Sequence, residues 1–319
     1  MRTPSRLHFG MVDMRGDLGR VHCSVGVAID KPNVILKAEP APTLYVKGTR
    51  AERARQFAEK ILMDSGVKGA ANLELASDIR EHAGFGSGTQ LALAVGTALS
   101  KIYDLGLTTE EIALRLHRSL RSGVGTYAFM HGGFIVDGGH RTDDKEGIPP
   151  LLFRADVPED WLFVIGIPET TQRHSGAIEN EAFKMLRPPP ASLVSEISRI
   201  VLVQIMPAIL ERDIKAFGAA MTSIDYKFGE FWLEIQGGRF SNPTIEAGVE
   251  FLLEAGAYGV GQSSWGPAFY GLVDGEAQAK VVSGRLSDFL NSGGRSGEVF
   301  IAGPDNKGAV VTVSVKDSS

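Results

Sequence analysis

Hydrophobic and polar residues alternate along most of the first 80 residues, which is the period of a half-buried β-strand. The predicted strands span residues 5–11, 21–29, 34–38, 43–46 and 72–79. One helix interrupts them at residues 50–64, where Phe57, Ile61 and Leu62 recur at helical spacing and Gly66 supplies a stop. The first quarter of the chain is therefore predicted to be mainly β-sheet.

Helical spacing replaces alternation after this sheet. A long helix is predicted over residues 87–104 and a second from Thr108, whose Glu111 completes a capping box. Residues 127–130 and 133–137 predict a β-hairpin. The polar residues 140–150 predict a loop at the junction between two domains, which we place at residues 1–155 and 156–319.

The second half begins with an apolar strand at residues 161–167 and continues as helices alternating with antiparallel strands. A helix at residues 192–212 is expected to kink at Pro207, and another starts with Asn242 as its N-cap and Pro243 at the first helical position. The remaining predicted elements are strands at 258–260, 269–273, 299–302 and 309–315 and a helix at 276–290. This order predicts the α+β class.

Composition narrows the classes of function. The chain has 319 residues, of which 43% are hydrophobic and 22% charged, and is long enough for two cores. A formal net charge of -5 argues against a nucleic-acid surface, which needs clustered Lys and Arg. The single Cys23, read as a small strand hydrophobe, fits a reducing cytoplasm. Since no apolar run approaches the roughly 18 residues of a membrane span, we expect a cytoplasmic protein without a membrane partner.

The sequence Gly-Phe-Gly-Ser-Gly-Thr-Gln at residues 84–90 lies between a predicted strand and a predicted helix. Its residues without a Cβ, which let the backbone approach a ligand closely, are Gly84, Gly86 and Gly88. Unpaired N–H groups and roughly half a positive charge at the helix N-terminus attract phosphate. Ser87 as N-cap with Gln90 would form a capping box, so a well-capped helix without a ligand is the alternative.

Two common phosphate loops do not fit this segment. A Walker loop needs a lysine after its last glycine, and Gly88 is followed by Thr89 and Gln90. A dinucleotide fingerprint needs a glycine where Thr89 stands. The loop therefore predicts a phosphate site of another kind.

Two predicted strands carry an Arg-x-His pattern, which places both polar side chains on one face of the strand. Arg6 and His8 lie on the first strand, and Arg20 and His22 on the next. If the strands were adjacent, they would form a positive patch for phosphate through the bidentate guanidinium fork. A solvated sheet face is the alternative.

Further polar residues lie close to the glycine loop in sequence or in the turns that follow it. Glu81 and His82 precede it directly and are candidate catalytic acid or base residues, with solvated turn residues as the alternative. Arg121 and Thr126 lie between a predicted helix and the hairpin, where a second anion site could form. Arg118 is explained more simply by the dipole at a helix C-terminus.

Residues 259–267 form a dense block of small, hydrogen-bonding and aromatic residues after a predicted strand. Its candidate pocket residues, with the indole as a stacking surface for an aromatic ring, are Gln262, Ser263, Ser264 and Trp265. The seven histidines show neither metalloprotease nor zinc spacing, so no protein metal site is predicted. Any divalent ion is expected to be Mg²⁺ carried with substrate phosphates.

These motifs together resemble the GHMP kinase superfamily, which pairs a ribosomal protein S5 domain 2-like N-terminal domain with a ferredoxin-like C-terminal domain. Residues 80–89 occupy the place of its motif Pro-x-x-x-Gly-Leu-Gly-Ser-Ser-Ala, and residues 259–266 that of its later glycine-rich turn. The departures from the first motif fall on Arg80, Phe85, Gly88 and Thr89. Within the superfamily, residues 5–10, 86–94, 125–129 and 261–267 are similar to the β-ribofuranosylaminobenzene 5′-phosphate synthase family.

This resemblance implies an enzyme that condenses phosphoribosyl pyrophosphate with 4-aminobenzoate or a close para-substituted benzoate. Pyrophosphate and CO₂ would be released, in a step of methanopterin biosynthesis. We assign the pyrophosphate to residues 84–89 and the aromatic ring to residues 262–265. The candidate anchors for the 5′-phosphate or the carboxylate are Arg6, His8, Arg20 and Arg121.

Two alternatives remain open at this point. One is an ATP-dependent small-molecule kinase on the same fold, although superfamily kinases often place an Asp after a Ser-Gly segment and residues 122–126 contain none. The other is a non-catalytic ligand-binding relative that kept the pocket. The resemblance also leads us to expect a homodimer.

Overall fold

The computed structural model of the chain describes residues 1–144, 146–169, 187–236 and 238–314. Its strands are β1 (Ser5–Met11), β2 (Arg20–Val21), β3 (Ser24–Ile29), β4 (Ile35–Ala41), β5 (Tyr45–Lys47), β6 (Ala70–Ser77), β7 (Phe134–Asp137), β8 (His140–Arg141), β9 (Leu151–Ala155), β10 (Trp161–Pro168), β11 (Gly259–Gln262), β12 (Phe269–Asp274) and β13 (Gly297–Ala302). Its helices are α1 (Ala51–Asp64), α2 (Ser87–Ile102), α3 (Thr109–Arg115), α4 (Val124–His131), α5 (Ala191–Ile200), α6 (Met206–Glu211), α7 (Ile214–Gln236), α8 (Pro243–Glu254) and α9 (Gly275–Leu290).

The first half of the chain builds two larger sheets around a central helix. One sheet has the order β1-β3-β7-β9 with antiparallel neighbours, and the other has the order β4-β6-β5 with β5 parallel to β6. Helix α2 packs against α1, α3, α4 and β4, and most of its side chains are buried. Because α2 is enclosed on nearly all sides, its sequence is apolar around its circumference rather than along one stripe.

The second half forms the ferredoxin-like domain expected from the resemblance. Its antiparallel sheet has the order β11-β12-β10-β13, so the first and third strands along the chain are the central ones. Helices α8 and α9 pack on this sheet, and α7 packs against β11 and also against β1 of the first half. The α+β class is confirmed.

One hydrophobic core runs through both halves. The ring of Phe9 in β1 lies 6.2 Å from that of Phe217 in α7 and 5.7 Å from that of Tyr270 in β12. All three side chains are fully buried. Strand β1 is thus fixed against the second half by aromatic packing, which sets the position of its polar residues.

The structure departs from the sequence prediction at three places. The predicted hairpin around residues 127–137 is wrong, because residues 124–131 form helix α4, which is buried between α2 and the first sheet. The long helix α7 and strand β9 were not predicted. Within the described part of residues 309–315, pairing is limited to a bridge between Val310 and Arg2, so the predicted closing strand is wrong; its last residue lies outside the described residues.

Pro207 interrupts the helix that follows the proline-rich segment, as predicted. Helix α5 passes into a π-helical turn at Val201–Ile205, and α6 begins just before the proline. Proline has no N–H to donate, which accounts for the break in the regular ladder. The segment Ala191–Glu211 is long and apolar enough to cross a membrane, but core helices of soluble proteins meet the same criterion, so this is weak evidence. The buried residues of the segment belong to the main hydrophobic core.

The C-terminal residues return to the first half of the chain. Pro304 forms a bridge with Ile29, and Val310 forms a bridge with Arg2. The Asp305 carboxylate accepts a hydrogen bond from the Arg2 guanidinium at 2.8 Å. The division at residues 155 and 156 stays a prediction, since the end of the second segment packs on the first.

The carboxylate of Asp137 joins three separate segments at the end of β7. It accepts hydrogen bonds from the N–H groups of Gly123 at 2.8 Å, Gly139 at 2.9 Å and Ser24 at 3.1 Å. Burial nevertheless raises the pKa of this carboxyl from 3.8 to about 6, against the opposing effect of these donors. Asp137 thus holds the start of α4 against β3 and β7.

Replacement of this group by Asp137→Asn should change how stability depends on pH. Because the folded-state pKa of about 6 exceeds the ordinary 3.8, the folded protein binds more protons between these values, and stability falls as pH rises through that window. In urea unfolding, the free energy of unfolding of the wild type minus that of the variant should decline by up to about 1.4 kcal/mol per pH unit within this window. Above the window, the difference should no longer change with pH. The exposed Asp288→Asn is the control; a flat difference across the window would contradict the assignment.

Candidate functional site

The glycine loop lies where the two halves of the molecule meet, between β6 and the start of α2. Gly84 and Gly86 have φ angles of +96° and +73°, which favour glycine over residues with a Cβ. Gly86 is the N-cap of α2, and the N–H groups of Thr89 and Gln90 donate to its carbonyl at 3.0 and 3.2 Å. The first N–H groups of the helix, at Ser87 and Gly88, have no intrahelical carbonyl to bind and suit an anion.

The predicted capping box is wrong. No side-chain cap is formed at this helix, because the N-cap is Gly86 and not Ser87. The side chain of Gln90 is fully buried and donates to the carbonyl of Gly125 at 2.8 Å, which ties α2 to α4. Because no side chain caps α2, the first backbone N–H groups of the helix are more available to a ligand than the predicted capping box would have left them.

The turn after β11 holds the glycine loop from the other side. Ser263 Oγ donates to the carbonyl of Gly84 at 2.6 Å and accepts the N–H of His8 at 3.0 Å. A Cβ on Gly266 would lie 2.2 Å from the backbone nitrogen of Gly84, so these two backbone segments touch and leave no room for a side chain at Gly266. The predicted pocket residue Ser263 therefore connects β1, the loop and the turn.

Arg6 is also part of this junction. Its guanidinium donates to the carbonyl of Gly84 and lies 3.5 Å from Ser263 Oγ, and its backbone N–H donates to the carbonyl of Phe85 at 3.2 Å. The side chain is half-buried beneath the loop. The positive charge of Arg6 therefore lies next to the predicted phosphate position, and one of its guanidinium N–H groups holds the glycine loop through the carbonyl of Gly84.

A buried ion pair supports the loop on the side of α1. Arg50 donates to both carboxylate oxygens of Asp78, which follows β6, and its Nη2 lies 3.4 Å from the carbonyl oxygen of Ser87. Both side chains are less than a tenth exposed. The start of α2 is thus anchored to a fixed point of the first half.

Arg118 borders the loop, which the sequence reading did not anticipate. Its Nη1 lies 3.3 Å from the point where a Cβ of Gly88 would stand, and its Nε donates to the carbonyl of Leu116 at the end of α3. Burial and the nearby charge of Arg53 lower the pKa of Arg118. The helix-end role is confirmed, and the same side chain brings positive charge to the glycine loop.

Other predicted residues have different positions from those expected. Glu81 and His82 are exposed in the turn before the loop, and Glu81 lies 3.8 Å from Arg50. Arg20 lies in β2, which pairs with β8 rather than with β1, and it donates to the carbonyls of Gly138 and Gly139. The prediction of two adjacent Arg-x-His strands is wrong, since β3 is the neighbour of β1.

The turn between α3 and α4 packs close to the loop. Thr126 is fully buried, with its hydroxyl 2.6 Å from that of Ser119. Arg121 is half-buried in the same turn. Gly125 and Thr126 belong to the first turn of α4, and a Cβ on Gly125 would lie 3.4 Å from the Thr89 side chain, so the start of α4 touches the start of α2. The anchoring roles of Arg121 and Thr126 stay predictions.

A cleft opens beside this junction, between β1, α7 and the turn after β11. Five of the residues that line it are Phe or Trp, and the rings of Trp232 and Trp265 are in edge-to-face contact at 4.5 Å between centroids. The residues that line it are His8, Phe9, Gly10, Asp225, Phe228, Gly229, Trp232, Arg239, Phe240, Gln262, Ser264 and Trp265. An apolar cleft with a few polar groups is the usual form of a small-molecule site.

Burial shifts the pKa values of two polar groups in the cleft, His8 and Asp225, toward their neutral forms. Desolvation, reinforced by the charge of Arg6, keeps the pKa of His8 well below its ordinary value of 6.5. Desolvation also keeps the pKa of Asp225 well above 3.8, although the N–H of Gln262 donates to both carboxyl oxygens at 3.2 Å. Burial in the cleft therefore favours the neutral imidazole of His8 and the neutral carboxyl of Asp225.

Two of the residues predicted to hold an aromatic ring are partly used by the turn itself. The Gln262 side chain donates to Ser241 Oγ and to the carbonyl of Gly266, and accepts the N–H of Ser241. The N–H of Ser264 donates to the carbonyl of His8 at 3.3 Å. Trp265 lines the cleft, and its role as a stacking surface for an aromatic ring stays a prediction.

The sequence reading missed the contribution of α7 to this cleft. Phe217, Met221, Ile224 and Trp232 recur at helical spacing and are buried, and the acidic Asp225 stands next to this apolar stripe. A carboxylate at the edge of a buried stripe was the available signal for the helix and for the site. Among the described residues, no group of three His, Cys, Asp or Glu is placed to hold a metal ion.

Comparisons with known proteins agree with this architecture. Residues 49–133 match the family of GHMP kinase N-terminal domains, and residues 205–292 match the family of GHMP kinase C-terminal domains. The mevalonate kinase of L. major in complex with R-mevalonate superposes with a TM-score of 0.71 at 16% identity, covering 97% of this chain and 96% of that one. At this identity the likeness concerns the fold.

Two relatives are similar over nearly their full length, and both are called beta-ribofuranosylphenol 5'-phosphate synthase. The protein of Archaeoglobus fulgidus is 33% identical over 98% of this chain and 99% of its own length. The protein of Methanothermobacter thermautotrophicus is 32% identical over 97% of each chain. The chain, with its GHMP kinase N- and C-terminal domains, therefore belongs to the beta-ribofuranosylphenol 5'-phosphate synthase family.

Proposed function

We propose that this enzyme condenses phosphoribosyl pyrophosphate with a para-substituted benzoate, releasing pyrophosphate and CO₂. The observation that carries the proposal is the full-length similarity to synthases whose name joins a ribofuranosyl 5'-phosphate to a phenol. The bond from the ribose C1 to pyrophosphate breaks as a ring carbon bonds to C1. The bond from that ring carbon to the carboxylate then breaks, and its electron pair restores the aromatic ring.

The glycine loop is suited to the leaving pyrophosphate. The N–H groups of Ser87 and Gly88 start a long helix, and the Arg118 guanidinium adjoins Gly88. Donors aimed at developing negative charge are each worth about 2.7–4 kcal/mol of transition-state stabilisation in enzymes where they have been removed. The loop and Arg118 together would stabilise the charge that grows on the departing oxygen.

The acceptor is the less defined partner. The aromatic walls and neutral polar groups of the cleft fit a para-substituted benzoate ring. The phenol in the name of the relatives favours 4-hydroxybenzoate as the acceptor, whereas the sequence motifs favoured 4-aminobenzoate. We therefore propose both as acceptors to be compared, with 4-hydroxybenzoate first.

Mg²⁺ is part of this proposal as a companion of the substrate phosphates. No group of three acidic, His or Cys side chains stands ready for it among the residues that the structure describes. The ion would then be held mainly by phosphate oxygens and water, as is usual for Mg²⁺ with nucleotides and related substrates. A place in methanopterin biosynthesis, a cytoplasmic location and a homodimer belong to the same proposal.

The proposal predicts decarboxylation that does not depend on ATP. Incubation with phosphoribosyl pyrophosphate, Mg²⁺ and carboxyl-labelled 4-hydroxybenzoate or 4-aminobenzoate should release labelled CO₂ and pyrophosphate in equal amounts. ATP hydrolysis is measured in parallel. Phosphorylation of a small molecule at the expense of ATP, without CO₂, would favour the kinase alternative, and the absence of both reactions would favour a binding protein.

A bulky residue at Gly88 should abolish this turnover while leaving the fold intact. The nearest atom to a Cβ at this position is the tip of the flexible Arg118 side chain, so Gly88→Leu fits the fold but fills the proposed pyrophosphate position. CO₂ release should fall at least 100-fold, while circular dichroism and the thermal midpoint stay close to wild type. This loss corresponds to about 2.7 kcal/mol or more of transition-state stabilisation.

Gly284→Leu is the matched control for this variant. Gly284 lies in α9, is exposed, and a Cβ there would meet nothing within 4 Å. The control should keep wild-type turnover. Wild-type turnover in Gly88→Leu as well would show that the loop does not hold the leaving group.

A further inference from the structure

The cleft between β1, α7 and the turn after β11 contains a buried imidazole with an unused hydrogen-bonding atom. His8 is 4% exposed, and its Nδ1 has no hydrogen-bond partner among the described residues. An enclosed polar atom left without a partner is unfavourable and rare in folded proteins, so such an atom calls for an explanation. A ligand in the cleft that brings a hydroxyl group to this nitrogen would supply the missing bond.

Asp225 stands on the opposite wall of the same cleft. Asp225 is 5% exposed, and in the part of the chain that the structure describes its carboxyl forms no ion pair; both carboxyl oxygens accept the N–H of Gln262 at 3.2 Å. The Tyr270 hydroxyl and the Asp225 carboxyl carbon both lie about 3 Å from the Cβ position of Gly261, so the carboxyl has another neutral polar group near it. A protonated carboxyl in such surroundings can donate a hydrogen bond to an oxygen atom.

We propose that His8 and Asp225 bind the para-hydroxyl group of the aromatic acceptor, with His8 accepting its proton during the reaction. The ring would lie against the indoles of Trp232 and Trp265, which supply the aromatic wall. This inference rests on the proposed function for its chemistry and adds the residues that choose and activate the acceptor. It also moves the acid–base role from the exposed Glu81 and His82 to a buried group.

The chemistry of the acceptor explains why a base is needed at this place. The ring carbon that bears the carboxylate lies opposite the para-oxygen, and it becomes a stronger nucleophile as that oxygen loses its proton. His8 takes the O–H proton while the ring carbon bonds to the ribose C1 and pyrophosphate leaves. The oxygen is then a carbonyl, to which the Asp225 carboxyl donates. After CO₂ has left, the aromatic ring is restored and the oxygen takes its proton back from His8.

The pairing of groups also fits a neutral hydroxyl rather than a second anion. A hydroxyl donates one hydrogen bond and accepts others, which matches one acceptor nitrogen and one donor carboxyl. Burying an additional unpaired charge between two neutral groups would be unfavourable. Arg239 at the cleft mouth already contacts Glu230 at 3.6 Å and the ring of Tyr226, so it is not needed for this pairing.

Ligand binding tests the site independently of turnover. Quenching of tryptophan fluorescence is titrated with 4-hydroxybenzoate and with benzoate, which lacks only the hydroxyl. Wild type should bind 4-hydroxybenzoate about 10–100-fold more tightly, the range expected for hydrogen bonds to buried partners. His8→Phe should lose this preference, and Asp225→Leu should reduce it while Asp225→Asn, a neutral donor, keeps most of it.

Turnover separates the binding role of His8 from its proton-accepting role. His8→Gln keeps a hydrogen-bonding side chain but no base, so it should retain part of the hydroxyl preference while kcat for CO₂ release falls about 10²–10⁴-fold. Thr97→Val is the matched control, because it removes a buried hydroxyl that has no hydrogen-bond partner among the described residues and lies in α2, outside the cleft. It should keep both the preference and the rate, and thermal unfolding checks that each variant is folded.

The outcomes distinguish this inference from the proposed function. An equal affinity of wild type for the two ligands, or an unchanged preference in His8→Phe, would overturn the site even if CO₂ is released normally. A wild-type rate in His8→Gln would overturn the proton-accepting role. If wild type binds the hydroxyl selectively through His8 but turns over no benzoate, the binding site is supported and the proposed reaction fails.

Discussion

The contact between the carbonyl of Gly84 and the side chains of Arg6 and Ser263 is the interaction on which the rest of the site depends. It joins a strand of the first half, the glycine loop and a turn of the second half at a single oxygen atom. The absent Cβ of Gly266 lets the two backbones meet at this point. Because each partner fixes the other two, the loop conformation is a property of both domains and not of the local sequence alone.

Sequence reasoning related distant motifs more accurately than it predicted the elements around them. The glycine loop and the block at residues 259–267 were expected to serve one site, and the structure places them in direct contact. Helix α4 was read as a hairpin because Tyr127 and Phe129 favour strands, whereas burial between α2 and the sheet decides its conformation. Tertiary packing outweighs local preference here.

Two residues next to the site could not be placed there from the sequence. Asp225, which sequence reasoning missed, reaches the cleft from α7, and Arg118, which was assigned only to a helix end, borders the glycine loop from the turn after α3, so no local spacing marks either position. Conversely, Arg20 looked equivalent to Arg6 by its spacing but lies in a short strand that pairs elsewhere. Periodicity reports the face of a strand, and only strand order decides which faces are neighbours.

The return of residues 304–310 to the first half constrains how the cleft can open. Bridges from Pro304 to Ile29 and from Val310 to Arg2 fasten the end of the second segment to strands of the first, and the shared core around Phe9 adds a second attachment. A hinge rotation that separated the two halves would have to break both attachments at once. Both attachments therefore oppose a hinge opening of the cleft, whereas movements of side chains and turns at its mouth would leave them intact.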